Sequence, residues 1–165
     1  KQLLKNLQEA DKSRTGEVLQ QIRQQGSVAL LPELIDMMAS SKHQSVKDSI
    51  QKILNDVKRR DAVPILMEAI HNPKFKEIRK PLLMACWQNG LNYSNYIGDF
   101  VDITIEAPFE IAFEAFTVAE NQEANYESDL IDREVDKLKT AIVHADSQKQ
   151  MLLKYMIDYL KSRSL

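Results

Sequence analysis

Residues 61–90 read DAVPILMEAIHNPKFKEIRKPLLMACWQNG and form the clearest unit of this sequence. Apolar residues recur every three or four positions on both sides of Asn72-Pro73, which predicts two amphipathic helices joined at a hinge. The buried stripes expected for the two helices are, in order, Val63, Leu66, Met67 and Ile70, then Ile78, Leu82, Ala85 and Cys86. The rest of the chain repeats this unit with variations.

Copies of the two stripes lie on both sides of this unit, in the same order and with the same spacing inside each stripe. The earlier copy contains Leu31, Leu34, Ile35, Met38, Val46, Ile50, Ile53, Leu54 and Val57, and the later one Ile97, Phe100, Val101, Thr104, Ile111, Ala115, Val118 and Ala119. In the reference unit the place of Val57 is taken by Asn89, which falls out of the apolar register. A looser copy near the C-terminus contains Ile131, Val135, Leu138, Ile142, Leu152, Met156, Tyr159 and Leu160. Equivalent residues of successive copies are separated by a nearly constant number of positions, 32 from Leu31 to Val63 and 34 from Val63 to Ile97. This near-constant spacing indicates a repeat protein.

The repeats predict an all-α fold. Four Gly and five Pro are few among 165 residues, which favours helices joined by short connectors. A single helix pair cannot bury both of its stripes, so neighbouring pairs are expected to stack into a solenoid of about four to five pairs. The prediction is a single domain with an N-terminal capping pair (1–26), three repeats (28–60, 61–92 and 95–124) and a C-terminal capping pair (126–165).

The unit resembles the HEAT repeat family. Asn72-Pro73 is similar to the turn of that family, and Ile78-Arg79 is similar to its Val-Arg pair. Val46-Lys47 stands at the same place one repeat earlier, whereas the third copy has Ala112 in place of the basic residue. The small and apolar positions of the second helix are matched by Leu82, Ala85, Cys86 and Gly90. The resemblance implies a right-handed α-α superhelix of the ARM type, in which the second helices line a concave face that binds other proteins.

Charge is strongly segregated along the chain, although the net charge is only −2. Residues 1–98 carry 15 Lys and Arg against 10 Asp and Glu, residues 99–136 carry 1 against 12, and residues 137–165 carry 6 against 2. The acidic block is expected to form a ridge of carboxylates that faces water, with Asp99, Asp102, Glu106, Glu110 and Glu114. Such a ridge can simply be a solvated face. The alternative is a docking surface for a basic protein or peptide, because a surface of one charge sign steers partners of the opposite sign.

Catalytic motifs are missing from the sequence. His43, His71 and His144 are isolated and none is followed by Glu, whereas HEAT-like di-iron hydroxylases carry repeated His-Glu pairs. There is neither a Gly-rich phosphate loop nor a Gly-x-Ser-x-Gly elbow, and Cys86 lies on a core stripe. The sequence therefore predicts a protein that is not an enzyme and that holds no metal and no cofactor.

Two other functions stay open at this point. Some HEAT-like proteins are DNA glycosylases, but Lys58-Arg59-Arg60 is the only basic run, and the acidic block would repel phosphate. Nucleic acid is therefore not the expected ligand. Lys1 is not an initiator methionine, so a structural segment of a longer protein is the other alternative.

The expected compartment is the cytoplasm. No run of about 18 apolar residues predicts a membrane span, and no basic segment followed by an apolar stretch resembles a signal peptide. A single cysteine, Cys86, favours a reducing compartment.

Three residues of the second helices depart from the repeat pattern. Met84, Trp87 and Phe113 are large and apolar, whereas the equivalent positions of neighbouring repeats are mostly polar. Exposed residues of these types are typical of interface anchors, so we expect them to bind a partner with Glu110 and Glu114 beside them. The open alternative is that they fill gaps between uneven repeats. Association of the acidic block of one copy with the basic half of another is a further open alternative.

Overall fold

The computed structural model describes residues 15–25 and 28–165, and this part of the chain is all-helical, which confirms the all-α prediction. The α-helices in it are α1 (Thr15–Gln25), α2 (Leu31–Ser40), α3 (Gln44–Asp56), α4 (Ala62–His71), α5 (Arg79–Asn89), α6 (Ile97–Glu106), α7 (Phe109–Glu120), α8 (Ser128–Ile142) and α9 (Ser147–Ser162). Short 3₁₀ helices span Val28–Leu30, Pro73–Ile78 and Ser94–Tyr96. None of the helices described has both the length and the apolar composition needed to span a bilayer.

The chain divides into two compact units between Leu91 and Asn92. Unit 1 comprises residues 1–91 and unit 2 comprises residues 92–165. The division lies within one residue of the end of the second repeat expected from the sequence, 61–92. The stacking of all pairs into one superhelical domain remains a prediction.

Unit 1 contains two helix pairs, α2 with α3 and α4 with α5. The first helices of the two pairs, α2 and α4, pack on each other, and so do the second helices, α3 and α5. Of the seventeen apolar stripe residues that the sequence assigns to these two pairs, sixteen are buried and Val57 is half-buried. Helix α1 packs on α3, with Leu19 and Ile22 in the core. The other helix of the predicted capping pair, with Leu3, Leu4 and Leu7, lies outside the residues that the structure describes.

The hinge of the reference unit is longer than its sequence suggests. Helix α4 ends at His71, and the Asn72 side chain accepts a hydrogen bond from Lys74 N at 3.0 Å. This cap starts the 3₁₀ helix, which buries Phe75, and α5 begins only at Arg79. Gly90 then ends α5 in the left-handed conformation with φ +66°, a conformation that glycine adopts without strain.

Unit 2 repeats the arrangement with α6 paired to α7 and α8 paired to α9. The first helices α6 and α8 pack on each other, as do the second helices α7 and α9. Most of the stripe residues expected here are buried, and Ile111, Ile142 and Tyr159 are half-buried. The Asp146 side chain accepts a hydrogen bond from Lys149 N at 2.9 Å and thereby fixes the first turn of α9.

Candidate interaction surface

The second helices of unit 1 are joined by hydrogen bonds from side chains to backbone carbonyls. Near the start of α5, Gln51 Nε2 donates to Pro81 O at 3.0 Å. Near its end, Lys58 Nζ donates to Asn89 O at 2.7 Å, and Asn89 Nδ2 donates to Leu54 O at 3.4 Å. The side chain of Asn89 is buried, so its contacts hold α3 and α5 together from the inside.

The second helices of unit 2 are joined in the same way at both ends. At the start, Lys149 Nζ on α9 donates to the carbonyl of Ala107, just before α7. At the end, Tyr159 Oη on α9 donates to Gln122 O, just after α7, at 3.0 Å. Because the starts meet and the ends meet, α7 and α9 run parallel and side by side.

Gln122 anchors the end of this helix pair. It is buried, its Oε1 accepts from Tyr93 N at 2.7 Å, and its Nε2 donates to Val118 O at 3.0 Å. Tyr93 is itself fully buried and packs edge-on against Phe100, with 6.2 Å between the ring centroids. One amide side chain thus connects α7 to the segment that precedes α6, and its own backbone carbonyl holds α9.

The Lys149 side chain joins α9 to Ala107, a residue between the end of α6 and the start of α7. Burial lowers the pKa of its amine, and Asp146 opposes that effect. The amine lies against the carbonyl of Ala107 at the C-terminal end of α6, where a donor satisfies an otherwise unpaired carbonyl. Its charge is therefore directed at this helix end.

Four large side chains stay exposed on α7 and α9 between the two contact points. Phe109 and Phe113 are 36% and 48% exposed, and their ring centroids are 6.1 Å apart. Met151 and Tyr155 are 57% and 54% exposed on the neighbouring helix. Each pair is spaced by four positions, so each forms a row along one side of its helix. We call Phe109, Phe113, Met151 and Tyr155 the α7–α9 face.

Acidic residues accompany the α7 row. Glu110 is exposed and Glu114 is half-buried, and α7 contains no Lys or Arg. Unit 2 as a whole carries 14 Asp and Glu against 7 Lys and Arg, a net charge of −7, whereas unit 1 carries 10 against 15, a net charge of +5. The change from the basic first block to the acidic block therefore lies near the division into units, whereas the basic last block lies inside unit 2.

The residues expected to bind a partner are placed on two helices. Phe113 is exposed on α7 together with Glu110 and Glu114, whereas Met84 and Trp87 are half-buried on α5 of unit 1. The structure brings the first three together on one helix and the last two together on another. Joint action of the two groups in one site stays a prediction.

Sequence reasoning missed Phe109, Met151 and Tyr155. A signal for two of them was available in the alignment of the last two second helices. The offset that takes Ile111 to Leu152 also sets Met151 against Glu110 and Tyr155 against Glu114. Large apolar residues at these outward positions are the same kind of departure that drew attention to Phe113.

One member of the acidic ridge expected from the sequence, Asp102 on α6, forms an ion pair within unit 2 while half of its side chain stays exposed. Lys137 Nζ lies 2.7 Å from Asp102 Oδ1 and 2.6 Å from Glu134 Oε2. Glu134 is buried, and its carboxylate lies so close to Gly98 that a Cβ there would be 3.3 Å from Oε1. Burial acts to lower the pKa of Lys137, but its contacts with the two carboxylates outweigh burial and raise it. This cluster holds α6 to α8.

The basic run of unit 1 is also partly engaged. Lys58 binds the end of α5, and Arg59 Nη2 forms an ion pair with Asp61 Oδ2 at 2.9 Å.

The histidines at 43, 71 and 144 are exposed, and Cys86 is fully buried, as its place on a core stripe predicted. Within the described ranges no three His, Cys, Asp or Glu residues are grouped so that they could hold a metal ion.

Comparison with known proteins gives no relative: no family model, no curated protein and no solved structure matches the chain. The HEAT resemblance therefore depends on the residues quoted above. The function has to be inferred from the helices themselves and from the α7–α9 face.

Proposed function

We propose that the protein is a non-catalytic binding module of the HEAT type, a scaffold that holds a partner protein or peptide on its second helices. The observation that carries this proposal is the α7–α9 face, two parallel rows of exposed apolar side chains on helices that are joined at both ends. Exposed aromatic and Met side chains grouped in this way are typical of interaction sites.

The apolar rows alone would bind weakly. Their four side chains are between 36% and 57% exposed. Complete burial of a side chain of this size stabilises by about 1.5–3 kcal/mol, so covering what is exposed contributes roughly 3–6 kcal/mol. A micromolar complex requires about 8 kcal/mol beyond the entropy lost on association. Polar contacts at the edge of the face must therefore contribute as well.

A protein partner fits this face better than nucleic acid does. The α7 row is accompanied by carboxylates, which repel phosphate groups. In unit 1, Lys58 and Arg59 of the basic run are already engaged with the carbonyl of Asn89 and with Asp61. The charges on both units therefore support a protein or peptide as the ligand.

Selection from a displayed peptide library tests the proposal without knowledge of the natural partner. The library is panned in parallel on the wild-type chain and on a double variant, Phe113→Asp with Tyr155→Asp, which places a charge in each row. We expect peptides that are enriched on the wild-type chain and are lost on the double variant. A loss of about tenfold or more in affinity corresponds to removal of a central apolar anchor.

The matched control is Val143→Asp. Val143 is 75% exposed in unit 2 and follows α8, outside the α7–α9 face. This variant has to retain the selected peptides, and all variants have to keep the helical circular dichroism of the wild-type chain. Enrichment of no peptide on the wild-type chain, or equal binding to all three proteins, contradicts the proposed function.

A further inference from the structure

We infer that the partner segment of the α7–α9 face is an amphipathic α-helix with one basic flank, which lies along the two rows with that flank over α7. This inference rests on the proposed function and adds the conformation, charge and orientation of the ligand. It follows from the spacing of the rows and from the distribution of charge on the two helices.

The spacing of the rows matches a helix. Phe109 and Phe113 are one turn apart on α7, and Met151 and Tyr155 are one turn apart on α9. One turn corresponds to roughly 6 Å along the helix axis. A partner helix presents apolar residues at the same interval through its i, i+3, i+4 and i+7 positions, which is how helices bind in grooves. A β-strand partner would need an open sheet edge, and the described part of the chain contains no sheet.

Parallel alignment of the two rows gives the site a direction. The contact of Lys149 with Ala107 fixes the helices at one end, and the contact of Tyr159 with Gln122 fixes them at the other. Both rows lie between these contact points. A bound helix would therefore lie along the helix pair, with one flank over α7 and the other over α9.

The charges on the two flanks differ. Helix α7 carries Glu110, Glu114 and Glu120 and no basic residue. Helix α9 carries both signs on its exposed positions, with Lys154, Asp158 and Lys161. The amine of Lys149 is directed at the carbonyl of Ala107 and is not placed along the row of glutamates. Lys or Arg on the flank over α7 would therefore meet a helix whose charged residues are all carboxylates, and the net charge of −7 on unit 2 would steer such a partner to the face.

Three synthetic peptides of about 18 residues test the inference, a length at which an isolated helix begins to form in water. The first has an apolar row at helical spacing and Lys on one flank. The second has the same row with Glu on that flank, and the third has the composition of the first in an order that breaks the row. Binding of each labelled peptide to the whole chain is measured by fluorescence anisotropy at low and high salt.

We expect the Lys peptide to bind about tenfold tighter than either of the others, and its affinity to fall with added salt. The charge-reversal variant, Glu110→Lys with Glu114→Lys, is expected to invert the preference between the Lys and Glu peptides. The matched control, Glu127→Lys with Asp129→Lys, makes the same charge change at exposed positions of unit 2 before and at the start of α8. It should retain the order of the wild-type chain.

Failure of the inference is distinct from failure of the proposed function. One outcome overturns the inference but supports the proposed function: the library peptides fail to bind the Phe113→Asp with Tyr155→Asp variant, and they are neutral, acidic or rich in proline. Equal binding of the Lys peptide and its reordered version overturns it too, because charge alone would then suffice. A face covered by a second copy, seen as self-association that the charge-reversal variant abolishes, also overturns it. Enrichment of no library peptide removes the function itself.

Discussion

Units 1 and 2 share the same order of helix packing but differ at the outward positions of their second helices. In each unit, first helices pack on first helices and second helices on second helices, and the second helices are joined by side chains that donate to backbone carbonyls. The outward positions of these joined helices differ. In unit 1 the large residues Met84 and Trp87 are mostly buried, whereas in unit 2 Phe113 is 48% exposed and Tyr155 is 54% exposed.

The difference shows which positions the fold constrains. The stripes that pack between helices stay mostly apolar through the repeats, with Thr104, Asn89 and Gln122 as buried polar exceptions. The outward positions of the second helices differ between the units. Large apolar residues there are mostly buried in unit 1 and exposed in unit 2, so a binding surface can arise at these positions without a change of fold.

The largest difference between the units is expected at alkaline pH. Burial raises the pKa of Tyr126, to which its neighbour Tyr159 adds, and burial also raises the pKa of Tyr159. A phenol with a higher pKa in the folded state than in the unfolded state adds to the free energy of unfolding as long as the pH is below its unfolded-state pKa, about 10. This contribution is lost as the pH rises towards the folded-state pKa. Unit 2 should therefore lose stability above about pH 10, while unit 1 contains no tyrosine to titrate.

Amide hydrogen exchange of α7 and α9 across this pH range, corrected for the intrinsic rate, measures the effect. Tyr126→Phe should flatten the loss, because it removes a phenol whose pKa is raised by burial. Tyr96→Phe, a change at a half-buried tyrosine of the same unit, is measured beside it. An identical pH profile for both variants would contradict the assignment to Tyr126.

Gln122→Ala is expected to give the largest loss among single substitutions. It removes two side-chain hydrogen bonds and leaves the buried backbone N–H of Tyr93 without its acceptor. An unsatisfied buried donor costs about 1–3 kcal/mol, so unit 2 should lose roughly 2–3 kcal/mol of its free energy of unfolding. Chemical denaturation followed by exchange in α7 and α9 measures it. The control, Gln148→Ala, removes an exposed glutamine from the first turn of α9 and should change little.

Asn89→Ala is the corresponding change in unit 1, and a smaller effect is expected. The Asn89 side chain donates to Leu54 O at 3.4 Å and accepts from Leu91 N at 3.0 Å, and the partly buried Leu91 N can turn to water when Asn89 is removed. A loss of about 1–2 kcal/mol follows from these weaker contacts. Gln88→Ala, the exposed neighbour on α5, is the control. If Asn89→Ala lowers the free energy of unfolding of unit 1 as much as Gln122→Ala lowers that of unit 2, the expected difference between the two units is contradicted.

The smallest effect is expected from the anchor residues of unit 1. Met84→Ala with Trp87→Ala should weaken binding of the Lys peptide by at most about threefold, because half-buried side chains offer a partner less area than the α7–α9 face does. Anisotropy titration beside the Phe113→Asp and Tyr155→Asp variant measures the ratio. A loss as large as that of the unit 2 variant would show that the anchor predicted from the sequence extends to unit 1.

Much of the fold was predictable because apolar periodicity records burial directly. The stripes at Leu66, Phe100 and Leu138 are each fully buried where the repeat placed them. The late start of α5 was not predictable, since a 3₁₀ helix and an α-helix share short-range spacing over one turn. Ion pairs such as that between Lys137 and Glu134 were also hidden, because they depend on how the side chains of packed helices meet.

The buried side-chain amides of Asn89 and Gln122 show which core residues apolar periodicity does not identify. Asn89 falls out of the apolar register in the sequence, yet it occupies a core position and uses it for hydrogen bonds. Gln122 stands at the equivalent place of the next repeat and is buried in the same manner. The exposed members of the α7–α9 face were missed for the converse reason. Periodicity shows which residues can be buried, but not how much of each outward side chain remains accessible.

The distribution of chromophores gives each unit a reporter of its own. The only tryptophan, Trp87, and the only cysteine, Cys86, are adjacent on α5 of unit 1. All tyrosines of the chain belong to unit 2, at positions 93, 96, 126, 155 and 159. Because Cys86 is fully buried, the rate at which a thiol reagent labels it reports how often unit 1 opens. Indole emission, thiol labelling and phenol absorbance can thus follow the unfolding of the two units separately in one unmodified chain.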